Sequence, residues 1–128
     1  MIGECGRAIM IASRVDRDGT GMNDQDMANL LAEITRRIRE VSDPEQIILF
    51  GSRARGDFGP DSDIDLLVVK DSIESTRAEA GRISRALLNI PLPVDVIVVR
   101  PAYVEQYKDI IGTIVRPALR EGKVLYAR

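Results

Sequence analysis

The apolar positions of this chain follow a helical period at first and a strand-like pattern later. Up to Val41, apolar residues recur three or four positions apart, with arginines and glutamates between them. This spacing predicts an amphipathic helix that begins at Asp24 and ends before Pro44. Residues 1–23 lack such a pattern, and we expect a flexible or weakly structured extension there, followed by a single domain at residues 24–128.

The later apolar runs are short and are bounded by glycine, proline or aspartate. Together with the helical patterns between them, they predict an α/β (α+β) fold in which helices flank a small sheet. One of these helices is predicted to start at a Ser72 cap and to end at about Leu88. The predicted strands are 47–50, 63–69, 93–99 and 123–126, the last of them at an edge.

Composition is that of an ordinary globular protein and removes several kinds of chemistry. Of the 128 residues, 45% are hydrophobic and 30% charged, and no apolar run approaches the ~18 residues of a membrane span. The start lacks the apolar core of a signal peptide, and the single cysteine has no partner, so we expect a cytoplasmic protein without a membrane partner. The absence of histidine excludes histidine-based triads and zinc sites, and a net charge of −2 gives no basis for general nucleic-acid binding.

The most informative motif begins with Gly51 and Ser52, directly after a predicted strand, and continues to Asp63 and Asp65, which open the next one. Side chains two apart on a strand share a face and their Cα atoms lie roughly 6.5–7 Å apart, so the two carboxylates would be side by side. Mg²⁺ relieves their repulsion, because it binds one or two carboxylates and keeps positions for substrate phosphates. Asp95 is the candidate third ligand, since it lies in a later run of β-branched residues where an acid is otherwise costly.

The glycine and the serine suit the phosphate end of a nucleotide. Gly51 allows a close approach of the backbone, and Ser52 offers a hydroxyl and an N–H where a strand gives way to a helix. Arg53 and Arg55 add cationic groups for phosphate, although Arg55 could instead form an exposed ion pair with Asp57. Each half of the motif alone is a common turn or loop, whereas both halves and the third acid together predict a metal-held nucleoside triphosphate.

The string GSRARG at 51–56, followed by SDIDL at 62–66, resembles the signature of the minimal nucleotidyltransferase (MNT) family, within the superfamily related to DNA polymerase beta. The resemblance extends over about residues 27–126 and implies the nucleotidyltransferase fold, with a small mixed sheet flanked by helices.

The resemblance also implies a two-metal transfer of AMP from ATP. In that mechanism Asp63 and Asp65 hold two Mg²⁺ ions, and Asp95 ligates the ion at the acceptor hydroxyl and helps to deprotonate it. Gly51, Ser52 and Arg53 bind the triphosphate, and pyrophosphate leaves.

Members of the MNT family are typically encoded beside a HEPN ribonuclease toxin. The resemblance therefore implies an antitoxin that modifies a toxin tyrosine with AMP and forms a hetero-oligomer with the toxin. Two alternatives stay open: a non-catalytic antitoxin that acts by occlusion, and a small-molecule, antibiotic-type nucleotidyltransferase that works with a helical partner subunit. Larger relatives add a domain that holds the acceptor, for which the patterned part of this chain has little room, so we expect a protein partner to supply the acceptor.

Overall fold

The computed structural model describes residues 23–59 and 62–128, and within them it has five helices and one four-stranded sheet. The expected extension at 1–23 therefore lies almost entirely outside the described residues. The helices are α1 (Asp24–Val41), α2 (Ser52–Arg55), α3 (Thr76–Ala86), α4 (Pro101–Tyr107) and α5 (Val115–Glu121). The strands are β1 (Gln46–Phe50), β2 (Ile64–Val69), β3 (Val94–Val99) and β4 (Lys123–Ala127).

The sheet is mixed, as the resemblance implies, with the strand order β3-β2-β1-β4. β1 pairs antiparallel with both β2 and β4, whereas β2 and β3 are parallel. A parallel pair needs a crossover connection, and α3 provides it between β2 and β3. The α+β fold predicted from the sequence is confirmed.

Helix α1 has the bounds and the buried stripe that its periodicity predicts. The side chain of Asn23 caps it by accepting a hydrogen bond from the N–H of Asp26 at 2.8 Å. Leu30, Ile34 and Ile38, spaced four residues apart, are fully buried against the sheet. Neither α1 nor any other helix in residues 23–59 and 62–128 is long and apolar enough to cross a membrane.

The two faces of the sheet carry cores of unequal size. Successive side chains of a strand alternate between the faces, so Leu66 and Val68 pack beneath α1 and α3 in the larger core. Leu67 lies on the opposite face, in a smaller core to which, among the described helices, only α5 and α4 contribute, through Ala118 and the partly buried Val104. By the same alternation, the odd-numbered positions of β2 and β3 belong to this lightly covered face.

The predicted start of α3 at Ser72 is wrong. The observed N-cap is Ser75, whose hydroxyl oxygen accepts a hydrogen bond from the N–H of Ala78 at 3.1 Å. Ser72 has a positive φ of 57°, and its N–H bonds the carboxylate of the preceding residue, so it belongs to a turn. The helix also ends at Ala86, slightly before the predicted end at Leu88.

Candidate active site

Strand pairing brings the three predicted acids to one end of the sheet. Asp65 is the register partner of Asp95 across the parallel β2–β3 pair, and Asp63 lies just before β2 begins. The N–H of Ile64 donates to the carbonyl oxygen of Pro93 at 2.9 Å, which joins the start of β2 to the start of β3. The third acid therefore stands beside the first two, as the sequence predicts.

Asp65 is the most enclosed of the three acids. It is half-buried, whereas Asp63 and Asp95 are exposed. Burial raises the pKa of Asp65, the negative charges of Asp95 and Asp63 raise it further, and Arg55 opposes the shift. Ionisation of Asp65 is therefore less favourable than that of a free aspartate, and a bound cation would offset both the cost of burying the charge and the repulsion.

The burial predicted for Asp95 is wrong. The sequence places Asp95 among β-branched residues, where an acid is costly, but the side chain is exposed. β3 is an edge strand, and Asp95 points to the lightly covered face of the sheet. Its candidacy as a ligand therefore depends on its register with Asp65 and not on burial.

Gly51 links β1 to α2 in a conformation that only glycine adopts readily, with φ 77° and ψ −159°. A Cβ added there would lie 3.2 Å from Cγ of Asp65 and closer still to its Oδ2, nearer than real Cβ atoms approach. The backbone thus passes directly against the central carboxylate. Ser52, half-buried, is the first residue of α2 and lies next to this contact.

Arg53 is buried and is bound to the loop that precedes β2. Its Nε donates to the carbonyl oxygen of Ser62 at 3.0 Å, and its Nη2 approaches that of Gly59 at 3.5 Å. The guanidinium carbon stands 4.7 Å from the ring centroid of Phe58. Burial lowers the pKa of Arg53, and the charge of Asp63 opposes that shift. The sequence carries no signal for the burial of Arg53 or for its hydrogen bonds to this loop, because both depend on the conformation of the loop.

Arg55 projects from the same short helix toward solvent. Its Nε is 3.3 Å from a carboxylate oxygen of Asp57, the ion pair that the sequence allows, and its Nη1 is 3.8 Å from Glu121 on α5. Sequence analysis missed Glu121, because it is distant along the chain. Exposed pairs of this kind add little stability, about 0–1 kcal/mol.

The acids fit a divalent ion by donor type and by charge. Carboxylate oxygens are the ligands that Mg²⁺ prefers, and like-charged carboxylates repel until a cation neutralises them. In the part of the chain that the structure describes, no three acidic or cysteine side chains lie close enough to hold a metal as they stand. Asp63, just before β2, and Asp95, in register with Asp65, are the acids that could complete such a site with Asp65.

A family model for the nucleotidyltransferase domain matches residues 31–119 of the chain. A protein from Sulfolobus solfataricus, described as a nucleotidyltransferase, is 25% identical with a TM-score of 0.55, over 77% of this chain and 78% of that one. A chain of a toxin–antitoxin structure with AMP-PNP is 21% identical with a TM-score of 0.51, over 77% and 73%. A mutant of the toxin–antitoxin MntA–HpeT gives 18% and 0.48, over 77% and 73%. No curated protein matched.

The matched segment runs from within α1 to within α5 and contains every candidate site residue. In this segment a strand is followed by the Gly-Ser turn and then by the strand that Asp-x-Asp opens, which is the order that the sequence predicts. The chain belongs to the nucleotidyltransferase domain family.

Proposed function

We propose that this protein transfers AMP from ATP, with the help of divalent metal ions, to a tyrosine of a HEPN-type ribonuclease toxin, and thereby acts as its antitoxin. The observation that supports this best is the in-register placement of Asp65 and Asp95 on neighbouring strands. Asp63 lies at the head of the same strand as Asp65, and the backbone of Gly51 passes against the Asp65 carboxylate. Three acids beside a glycine turn suit a metal-bound triphosphate.

In the proposed reaction, the acceptor oxygen forms a bond to the α-phosphorus as the bond to pyrophosphate breaks. Bound divalent ions supply charge stabilisation to the attacking and leaving oxygens. Asp63 and Asp65 hold the ions, and Gly51 and Ser52 bind the phosphates. Asp95, exposed on an edge strand, is the acid that the hydroxyl of a second protein can reach, and it assists removal of the hydroxyl proton.

The identity of donor and acceptor depends on resemblance. The GSRARG and SDIDL strings resemble those of MNT antitoxins. A chain that shares the fold comes from a toxin–antitoxin structure with AMP-PNP, an analogue of ATP. The exposure of Asp63 and Asp95 is compatible with an acceptor as large as a protein.

Intact mass of a co-expressed partner tests the proposal. The partner is the all-helical protein with an Arg-x4–6-His motif that we expect to be encoded beside this chain. With wild-type protein and ATP, the partner should gain the mass of one or more AMP groups, and a Tyr→Phe change at the modified position should abolish the gain. A stable, inhibited complex with no gain in mass would support occlusion instead.

Calorimetry tests the metal requirement separately. ATP should bind with Mg²⁺ and not in excess chelator, because the phosphates and the carboxylates repel without a cation. Asp65→Asn should weaken Mg²⁺-dependent binding, while Asp109→Asn, an exposed acid outside the cluster, serves as the control. Equal affinity for ATP with and without chelator would contradict the metal-held site.

A further inference from the structure

Two arginines of helix α2 lie in opposite environments. Only 8% of Arg53 is exposed, whereas 43% of the Arg55 side chain is exposed. A guanidinium is costly to bury unless its donors are satisfied. Two of the donor atoms of Arg53 are directed at backbone carbonyls of the loop before β2, Nε at Ser62 and Nη2 at Gly59. The buried arginine is therefore committed to this loop.

The loop is also closed by its own hydrogen bonds. The N–H of Gly59 donates to the hydroxyl oxygen of Ser62 at 2.9 Å, and the N–H of Ser62 donates to the carbonyl oxygen of Gly59 at 3.2 Å. Both carbonyls that Arg53 binds thus belong to residues that are hydrogen-bonded to each other. The guanidinium carbon of Arg53 also lies 4.7 Å from the ring centroid of Phe58.

Asp63 lies between two backbone anchors. On one side, the carbonyl oxygen of Ser62 is bound by Arg53 at 3.0 Å. On the other, the N–H of Ile64 is bound by Pro93 at the start of β3 at 2.9 Å. Because the backbone is held on both sides of Asp63, the position from which its side chain projects is fixed at the end of the sheet that carries Asp65 and Asp95.

We propose that Arg53 is a positioning residue for Asp63: it fixes the backbone that carries this acid, and it does not bind phosphate. The proposal rests on the proposed function only in taking Asp63 as a metal ligand. Positioning groups around a metal site typically alter metal affinity about 10–100-fold when they are changed. A phosphate-binding arginine would instead alter the affinity for the nucleotide itself.

The test compares Arg53→Lys with Arg100→Lys. Arg100 is a matched control, since its Nη2 also binds two loop carbonyls, those of Ile73 and Glu74 at 2.9 and 3.2 Å. It follows β3 at the end opposite Asp95, roughly 16 Å along the strand. Lysine keeps the charge in both variants and removes the planar fork that reaches two acceptors.

The first readout is calorimetric ATP binding over a series of Mg²⁺ concentrations. Arg53→Lys should raise the Mg²⁺ concentration for half-maximal binding by at least about tenfold, while ATP affinity at saturating Mg²⁺ stays within about twofold. Arg100→Lys should match the wild type in both values. Loss of ATP affinity at every Mg²⁺ concentration, with the Mg²⁺ midpoint unchanged, would show that Arg53 binds phosphate and would overturn the proposal.

The second readout is amide hydrogen exchange, which needs neither ATP nor acceptor. Arg53→Lys should speed exchange at the N–H groups of Gly59 and Ser62 by about tenfold and leave α1 unchanged. If Arg53→Lys does not fold, Ser62→Ala opens the same turn with Arg53 in place and should raise the Mg²⁺ midpoint too. Unchanged exchange at Gly59 and Ser62 would overturn the proposal. Failure of AMP transfer would count against the proposed function alone.

Discussion

Replacing Gly51 by alanine tests how the backbone is placed against the central acid. The change meets two separate obstacles. At φ 77° and ψ −159° the backbone occupies a region that is essentially restricted to glycine. The added Cβ also meets the Asp65 side chain, 3.2 Å from Cγ and closer to Oδ2. A carboxylate at the end of a short side chain can rotate away, so the collision displaces Asp65 while the backbone strain remains.

These two effects predict different losses. Strain of this kind costs about 1–3 kcal/mol, and stiffening of the unfolded chain by alanine offsets about 0.4–1 kcal/mol of it. The expected net loss of stability is about 1–2 kcal/mol, which lowers the melting temperature of a domain of this size by roughly 4–9 °C. Displacement of the Asp65 carboxylate should in addition weaken Mg²⁺-dependent ATP binding at least about tenfold.

Gly56→Ala separates the two effects. Gly56 follows the same short helix with φ 94° and ψ 1°, but among the described residues no atom beyond its chain neighbours lies within 4 Å of the position its Cβ would take. Thermal melts and calorimetry should show lower stability for both variants and weakened ATP binding for Gly51→Ala alone. A Gly51→Ala protein as stable as the wild type would refute the strain argument. One that melts lower but binds ATP and Mg²⁺ normally would refute the contact with Asp65.

Three further changes address the acids. Asp63→Asn should abolish AMP transfer and leave the fold intact, because it removes a ligand and keeps the shape; intact mass of the partner and circular dichroism check this, and retained transfer at saturating Mg²⁺ would remove Asp63 from the site. The pKa of Asp65 is raised above 3.8 in the folded state, so the folded protein binds a proton at this position more tightly than the unfolded chain does. The resulting stability is fully present below the unfolded pKa and is lost as pH rises through the folded pKa. In chelator, Asp65→Asn should therefore melt higher than wild type at pH 7, with the difference vanishing below about pH 4; equal melts at both pH values would contradict the shift. Asp95→Ala should keep Mg²⁺-dependent ATP binding and lose transfer, with little change in melting temperature because the side chain is exposed; a variant that melts lower and still modifies the partner would identify Asp95 as structural.

The sequence predicts well where local pattern and tertiary environment agree. The helical stripe of α1 and the apolar runs of β1 and β2 each have one face or both faces buried, so their periodicity survives in the structure. The prediction of a helix start fails at Ser72, because serine suits a turn as well as a helix cap. Here the N–H of Ser72 is bonded to the carboxylate of Asp71, and Ser72 lies in a turn.

Other features depend on information that one sequence does not hold. Whether Asp95 is buried or exposed depends on the order of the strands. An apolar run in the sequence cannot show that β3 is an edge strand with a lightly covered face. Arg53 and Arg55 have the same chemistry, and only the rotation of α2 against the loop determines which one is buried. By contrast, the glycine and the Asp-x-Asp pair are predictable, because each is defined by local backbone geometry.

The parallel pairing of β2 with β3 has a consequence for how the site is assembled during folding. Gly51 and Asp65 meet across an antiparallel pair joined by residues 51–63, a shorter connection than residues 70–93 between β2 and β3, so less chain entropy is lost in bringing them together. Asp95 reaches Asp65 only after the crossover through α3 has packed on the sheet, a contact between more distant parts of the chain. We expect the nucleotide side of the site to form early in folding and the acceptor side to be completed last.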